Sequence, residues 1–302
     1  MWYIRRTKKE GNMHHYKGEK ACLDEDGTEI FDQPERSLIT AERGKVVMDN
    51  LLARATTRWS LEETKLFLIA VSKIDTIDAN HEVKIPKDTV MRLLGWDPTN
   101  RSKLRALAKK VAEKSWVEFN GPREDIWEDG FLVVGARSDI KNIYIEFRPR
   151  YLPMIQNLSK HFTQFNLIHI LGFKHKSALA LYMYLVSWHD PRYLNQTHSI
   201  PKKDLVKIFN LKEGQYWRNY GTDQDKFDWP YFERRVIKPA VKDINEARYR
   251  GTCDMLIENW KKQKDGKTVL GYTFYYGFYD KHGTQFIETI DGELIGEEYD
   301  QY

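Results

Sequence analysis

The chain has 302 residues, 41% hydrophobic and 30% charged, which is enough for two domains of ordinary size and too apolar for a disordered chain. No apolar run approaches the roughly 20 residues that span a bilayer, and two cysteines far apart, Cys22 and Cys253, suggest neither a disulfide framework nor a metal site. The expected setting is a reducing cytoplasm with no membrane partner. Net charge is +4, but residues 279–302 carry one lysine against seven acids, so a tail of −6 follows a body of +10. A cationic body of that kind suits a polyanionic partner.

Residues 1–43 are polar, nearly neutral and without apolar periodicity, and read as a loosely ordered leader with a turn at Asp26-Gly27; Met13 is an alternative start. Structure is expected from Lys45, where Val46, Val47, Leu51 and Leu52 suggest a short helix. Ser60 and Glu63 form an S-x-x-E capping box ahead of L-F-L-I-A-V at residues 66–71. Six apolar residues in succession inside a capped helix require burial on most sides. Residues 82–84 read as a short strand, and I-P-K-D-T-V-M-R-L-L-G then reads as a helix that Pro86 opens and Gly95 closes. Residues 99–115 form a longer helix with Leu104, Leu107, Ala108 and Val111 on one face. Arg101, Ser102, Lys103, Arg105, Lys109 and Lys110 lie on the other. Strands at 116–119, 131–136 and 143–147 follow, with turns at Asn120-Gly121, Asp129-Gly130 and Ser138-Asp139.

Residues 148–173 open R-P-R-Y-L-P, and the two prolines favour a rigid extended or turn-like connector packed on both neighbours. The order of elements then repeats. S-A-L-A-L-Y-M-Y-L-V-S-W at 177–188 is a helix apolar nearly all round. I-P-K-K-D-L-V-K-I-F-N at Ile200 matches I-P-K-D-T-V-M-R-L-L-G at Ile85, an offset of 115 residues. A longer amphipathic helix follows in 228–250, D-W-P-Y-F-E-R-R-V-I-K-P-A-V-K-D-I-N-E-A-R-Y-R. At about 100° per residue, Phe232, Val236, Ala240, Ile244 and Ala247 share a face that Ile237 and Val241 widen. Tyr231, Arg234, Arg235, Lys238, Lys242 and Asn245 form the opposite, hydrogen-bond-donating sector. Pro239 is expected to bend this helix, leaving its N-terminal half to meet a ligand and turning the other half back to pack. Strands at 252–260 and 268–278 end the unit, joined through K-K-Q-K-D-G-K, where Lys261, Lys262, Lys264 and Lys267 crowd an Asp-Gly hairpin signal.

Buried helix, short helix, exposed basic helix and cationic hairpin are the parts of a winged helix-turn-helix, whose third helix enters the major groove while the wing reaches phosphates. The expected fold class is therefore α+β, tandem winged helix-turn-helix domains with a pseudo-repeat of about 115 residues. The first domain is placed at 44–148, a connector and second domain at 149–278, and an acidic tail after them. A solvated charged face is the alternative reading of either basic helix. Recurrence of both at equivalent positions favours double-stranded DNA.

Catalytic signatures are missing. The G-K-T at Gly266 has Lys261 where a phosphate-binding loop needs glycine, and the sequence contains no H-x-H, H-E-x-x-H, C-x-x-C or G-x-S-x-G. No enzymatic activity and no cofactor are expected.

The residues resemble the iteron-binding, theta-type plasmid replication initiators, the Rep proteins with two winged-helix domains. The similarity lies in V-V-M-D-N-L-L at Val46, W-S-L-E-E-T-K-L-F-L-I-A-V at Trp59, Y-L-P-M-I-Q-N-L-S-K-H-F-T-Q-F-N-L at Tyr151, S-A-L-A-L-Y-M-Y-L at Ser177 and F-E-R-R-V-I-K-P-A-V-K-D-I-N at Phe232. The leader and tail have no counterpart. The resemblance implies binding to direct repeats at a plasmid origin, opening of adjacent A·T-rich duplex, recruitment of the host initiator and helicase, and self-association through the N-terminal domain to repress the protein's own promoter. By position it places Arg234, Arg235, Lys238 and Lys242 in the second recognition helix and Arg101, Ser102, Arg105 and Lys109 in the first. A transcriptional regulator without a role in initiation is the alternative.

Overall fold

The computed structural model describes residues 22–23, 29–30, 44–120, 127–158, 161–190, 192–223 and 225–279. Almost all of the leader, including its expected turn at Asp26-Gly27, lies outside them, as do the turn at Gly121 and the acidic tail beyond Tyr279. Within the leader, β1 (Cys22–Leu23) and β2 (Glu29–Ile30) pair antiparallel.

The body opens with a strand rather than the expected helix: β3 (Lys45–Asp49) is followed by one helical turn, α1 (Asn50–Ala53), whose first turn Asp49 caps by accepting from the Leu51 amide at 2.7 Å. After β4 (Thr56–Thr57) comes α2 (Leu61–Val71), and its capping box is complete: Ser60 Oγ accepts from the Glu63 amide and Glu63 Oε2 from the Ser60 amide. Leu66 through Val71 are all buried.

A 3-10 turn (Ile74–Thr76) leads to β5 (Glu82–Pro86), α3 (Lys87–Leu93) and α4 (Arg101–Glu113). Gly95, which follows α3, has φ +67°, a conformation that costs glycine little. Strands β6 (Trp116–Asn120), β7 (Trp127–Phe131), β8 (Val133–Ser138) and β9 (Asn142–Phe147) form two antiparallel hairpins, in sheets ordered β4-β6-β7 and β5-β9-β8. Asp129-Gly130 is not a turn; both residues pair with β6. Gly130 is there because a Cβ would fall 2.3 Å from the hydroxyl of buried Tyr151.

The connector is structured. A 3-10 turn (Pro149–Met154) precedes β10 (Phe162–Asn166), which pairs antiparallel with β3, so Phe165 lies opposite Val46 across more than a hundred residues of chain. Helix α5 (Leu167–Leu171) follows and packs on α2. Residues assigned by sequence to the connector thus complete a sheet with the first strand of the body.

The second unit repeats the first. Helix α6 (Lys176–Val186) is the buried helix, β11 (Asn195–Pro201) the strand, and α7 (Lys202–Ile208) the short helix. Pro86 and Pro201 both stand in extended conformation at the helix N-cap, and Ile85 and Ile200 are both fully buried. A small hairpin, β12 (Trp217–Arg218) with β13 (Lys226–Phe227), then precedes α8 (Trp229–Phe232), a π turn (Glu233–Ile237) and α9 (Lys238–Tyr249), which form one uninterrupted helical run. The wing is β14 (Met255–Asp265) with β15 (Thr268–Phe278), in a sheet ordered β11-β15-β14. In both units the strand before the short helix pairs with the last wing strand, Ile85 opposite Ile143 and Ile200 opposite Tyr272. Among the described residues no helix is long and apolar enough to cross a membrane.

Candidate nucleic-acid interface

The run α8–α9 buries Phe232, Val236, Ile237, Ala240, Val241, Ile244 and Ala247, the whole apolar side of the helical wheel. The half beyond Pro239 packs on its domain as expected, but so does the half before it: Ala240, Val241, Ile244 and Ala247 continue the buried face of Phe232, Val236 and Ile237. The chain meets the proline with a π turn: the Lys238 amide bonds the Glu233 carbonyl five residues back, just ahead of the residue that has no amide to donate.

Tyr231, Arg234, Arg235, Lys238 and Lys242 all project into solvent. Both guanidiniums lie near the Tyr231 ring, with Arg234 Cζ 5.3 Å and Arg235 Cζ 5.7 Å from its centroid. Asp228 anchors the start of the run, accepting from the Tyr231 amide at 3.2 Å and from Arg218 Nε at 2.7 Å. Neither Arg234 nor Arg235 forms an ion pair among the described residues, whereas Lys242 lies 3.6 Å from Glu246.

Asn245 is placed differently from the sequence expectation. Its side-chain amide donates to the Ile257 carbonyl at 2.8 Å and accepts from the Ile257 amide at 2.9 Å, beside a register shift in β14. Both polar ends are used to join helix to wing. The wheel gives the direction of a side chain and not what stands there, so Asn245 leaves the set of solvent-facing donors.

The wing extends further than the sequence indicated. Asp265 pairs with Thr268, leaving a two-residue loop with Gly266 at φ +54°, as primed hairpin turns require. Lys261, Lys262 and Lys264 therefore sit on a strand. Lys261, Lys264 and Lys267 are exposed, and the Lys261 ammonium lies 5.3 Å from the Tyr275 ring centroid. Lys262 instead turns back to Glu233 at 2.8 Å, which also accepts from Tyr272 Oη at 3.0 Å and lies 3.8 Å from Lys238. Burial opposes ionisation of Glu233, but Lys262 and Tyr272 hold its pKa below the ordinary value. This acid inside a run of cations fastens the base of the wing to the first turns of the helix. Its position among cations in the sequence was the available signal.

In the first unit, Arg101, Ser102, Arg105, Lys109 and Lys110 of α4 are exposed above buried Leu104, Leu107, Ala108 and Val111. Lys103 packs over the Trp96 ring at 3.8 Å. Ser102, Arg105 and Lys109 line an open groove whose far wall is Ala136, Arg137 and Ser138 of β8. Arg137, absent from the sequence expectation, is held there by Glu82 and by stacking on Tyr144 at 3.7 Å. Each unit thus sets an exposed cationic helix face beside a hairpin that carries further cations.

The family model for the WH1 domain of initiator replication proteins matches residues 45–186, and the model for the WH2 domain of initiator Rep proteins matches 202–276. Among solved structures, the Pi initiator protein in complex with iteron DNA is similar at a TM-score of 0.61 and 14% identity, covering 78% of this chain and 98% of that one. Domains 2 and 3 of RctB align at a TM-score of 0.41 and 12% identity, covering 74% and 85%. No curated protein matches the chain in sequence. The two winged-helix matches in tandem cover most of the repeated body, and the chain belongs to the family of replication initiator (Rep) proteins.

Proposed function

We propose that this protein initiates replication of a plasmid by binding directly repeated DNA at the origin, with α8–α9 as its principal reader. The observation that carries this reading is the exposed face Tyr231, Arg234, Arg235, Lys238, locked by Glu233 to a wing that presents Lys261, Lys264 and Lys267. Arg234 and Arg235, in the first turns of the run, contact bases or the nearest phosphates, while Lys238 and Lys242 contact phosphates; base contacts specify and phosphate contacts position. In the first unit Arg101, Ser102, Arg105 and Lys109 hold an adjoining stretch of duplex. Membership of the initiator family and the likeness in fold to a protein crystallised on iteron DNA support the assignment.

We assign the unit at 44–148 to backbone contact and self-association, and the unit at 149–278, with its connector, to sequence discrimination. Opening of an adjacent A·T-rich segment, recruitment of the host initiator and helicase, and repression of its own gene by a cytoplasmic dimer complete the proposed role.

The test is fluorescence anisotropy with duplexes drawn from the DNA that flanks the gene. Direct repeats should bind at least about a thousandfold tighter than shuffled DNA at physiological salt. Equal affinities would refute the reading, and preference for a lone inverted repeat over a promoter would favour a transcriptional regulator.

A further inference from the structure

The link at residues 171–175, between α5 and α6, is gripped from both sides by buried charges. From the first unit, Lys65 of α2, 8% exposed, donates to the carbonyls of Leu171 at 2.6 Å and Phe173 at 2.7 Å. From the second unit, Asp243 of α9, 2% exposed, accepts from the amides of Lys174 at 2.7 Å and His175 at 2.8 Å, and lies 3.2 Å from His175 Nδ1. Burial pushes the Lys65 ammonium pKa down and the Asp243 carboxylate offsets part of that shift, so the two charges sense each other across the link.

Neither residue belongs to the exposed cationic faces, yet each sits on an element that carries one or packs against one. Helix α4 packs on α2, and Asp243 occupies the buried side of the run that exposes Lys238 and Lys242. One path from one basic helix to the other therefore runs α4, α2, Lys65, link, Asp243, α9. Buried charge-assisted hydrogen bonds are short and directional, and removing one partner leaves the other uncompensated. A joint made of four such bonds holds a geometry better than apolar packing alone.

We propose that Lys65 and Asp243 are positioning residues: by clamping the link at 171–175 they fix the separation and relative orientation of α4 and α8–α9, and with it the distance between the two DNA segments that one chain engages. This rests on the DNA-reading assignment above. Two linked modules gain avidity only when their geometry lets both engage at once.

The test uses the full chain on a duplex carrying one flanking repeat, with hydroxyl-radical footprinting and anisotropy. The wild type should protect two patches, one for each unit, and should bind more weakly when one base pair is inserted between them. Lys65→Met should bind the native duplex about tenfold more weakly, lose protection of the first patch while keeping the second, and no longer discriminate against the insertion. Lys65→Arg, which keeps donors at that position, should restore both patches. Asp243→Ala, which removes the acceptor of the Lys174 and His175 amides, should reproduce the Lys65→Met pattern. The proposal is overturned if Lys65→Met protects both patches as the wild type does, or if both patches weaken equally. A wild type that protects no patch on the repeat would instead overturn the DNA-reading assignment.

Discussion

Replacing Arg234 and Arg235 together by alanine separates recognition from stability, and the structure sets the two magnitudes apart. Both side chains are exposed, and each lies near the Tyr231 ring, at 5.3 and 5.7 Å. Exposed cation–π contacts are worth about 0.5–1 kcal/mol each, so the folded domain should lose no more than about 1–2 kcal/mol, a few degrees in Tm. On DNA, an arginine with a good base contact is worth about 1–3 kcal/mol. With one arginine on a base and the other on a phosphate, the loss is about 3 kcal/mol, or roughly a hundredfold in Kd. Anisotropy on the direct repeat and thermal melting of the same preparation give both numbers. A change in Kd below about threefold would refute the placement of this face on DNA. Loss of cooperative melting would show that the arginines hold the fold and would equally refute the separation.

Three further outcomes follow from the same geometry. Lys261, Lys264 and Lys267 replaced by alanine should weaken binding to every sequence and lower the slope of log K against log salt by up to about 2.7, near 0.9 for each phosphate no longer neutralised; weakening confined to one sequence would make the wing a base reader. Asn245→Ala should lower stability by about 1–3 kcal/mol, because two backbone groups of Ile257 lose their partner; an unchanged Tm with lost specificity would return Asn245 to the reading face. His198, stacked on Trp188 with ring centroids 4.7 Å apart, has its pKa pushed down to about 4 by burial and by the Arg54 charge. A histidine held neutral in the fold contributes stability that is present above its unfolded pKa of about 6.5 and is lost as pH falls towards 4. Tm should therefore fall across that window in the wild type and less steeply in His198→Phe; parallel profiles would contradict this.

Much of the fold was legible because its signals are local. The Ser60–Glu63 box, the six apolar residues after it and the paired I-P-K segments each carry their meaning within a dozen residues, and the last two also expose the repeat. The apolar wheel of 228–250 was readable for the same reason. Misreadings arose where the deciding partner is distant. Val46, Val47, Leu51 and Leu52 suggested one short helix, yet only Leu51 and Leu52 lie in a helical turn, because Val46 and Val47 pair with Phe165 and Gln164 and that pairing makes the first half a strand. Gly130 looked like a turn residue because the Tyr151 hydroxyl against it comes from another element. Pro239 was expected to bend the helix and leave only its first half to meet a ligand, but the π turn before it adjusts the backbone without interrupting burial, and Lys242 beyond it is also exposed. Asn245 and Lys262 counted as free donors until their partners, Ile257 and Glu233, were in place.

The central claim, that this chain initiates replication by reading DNA through α8–α9, is tested most directly in cells. A selectable vector without an origin of its own is given the repeat-bearing DNA that flanks the gene, and the protein is supplied from a separate locus. The account predicts that the vector is maintained with the wild-type protein and lost with Arg234→Ala/Arg235→Ala protein present at equal level. Maintenance with the variant, or loss with the wild type, would contradict it.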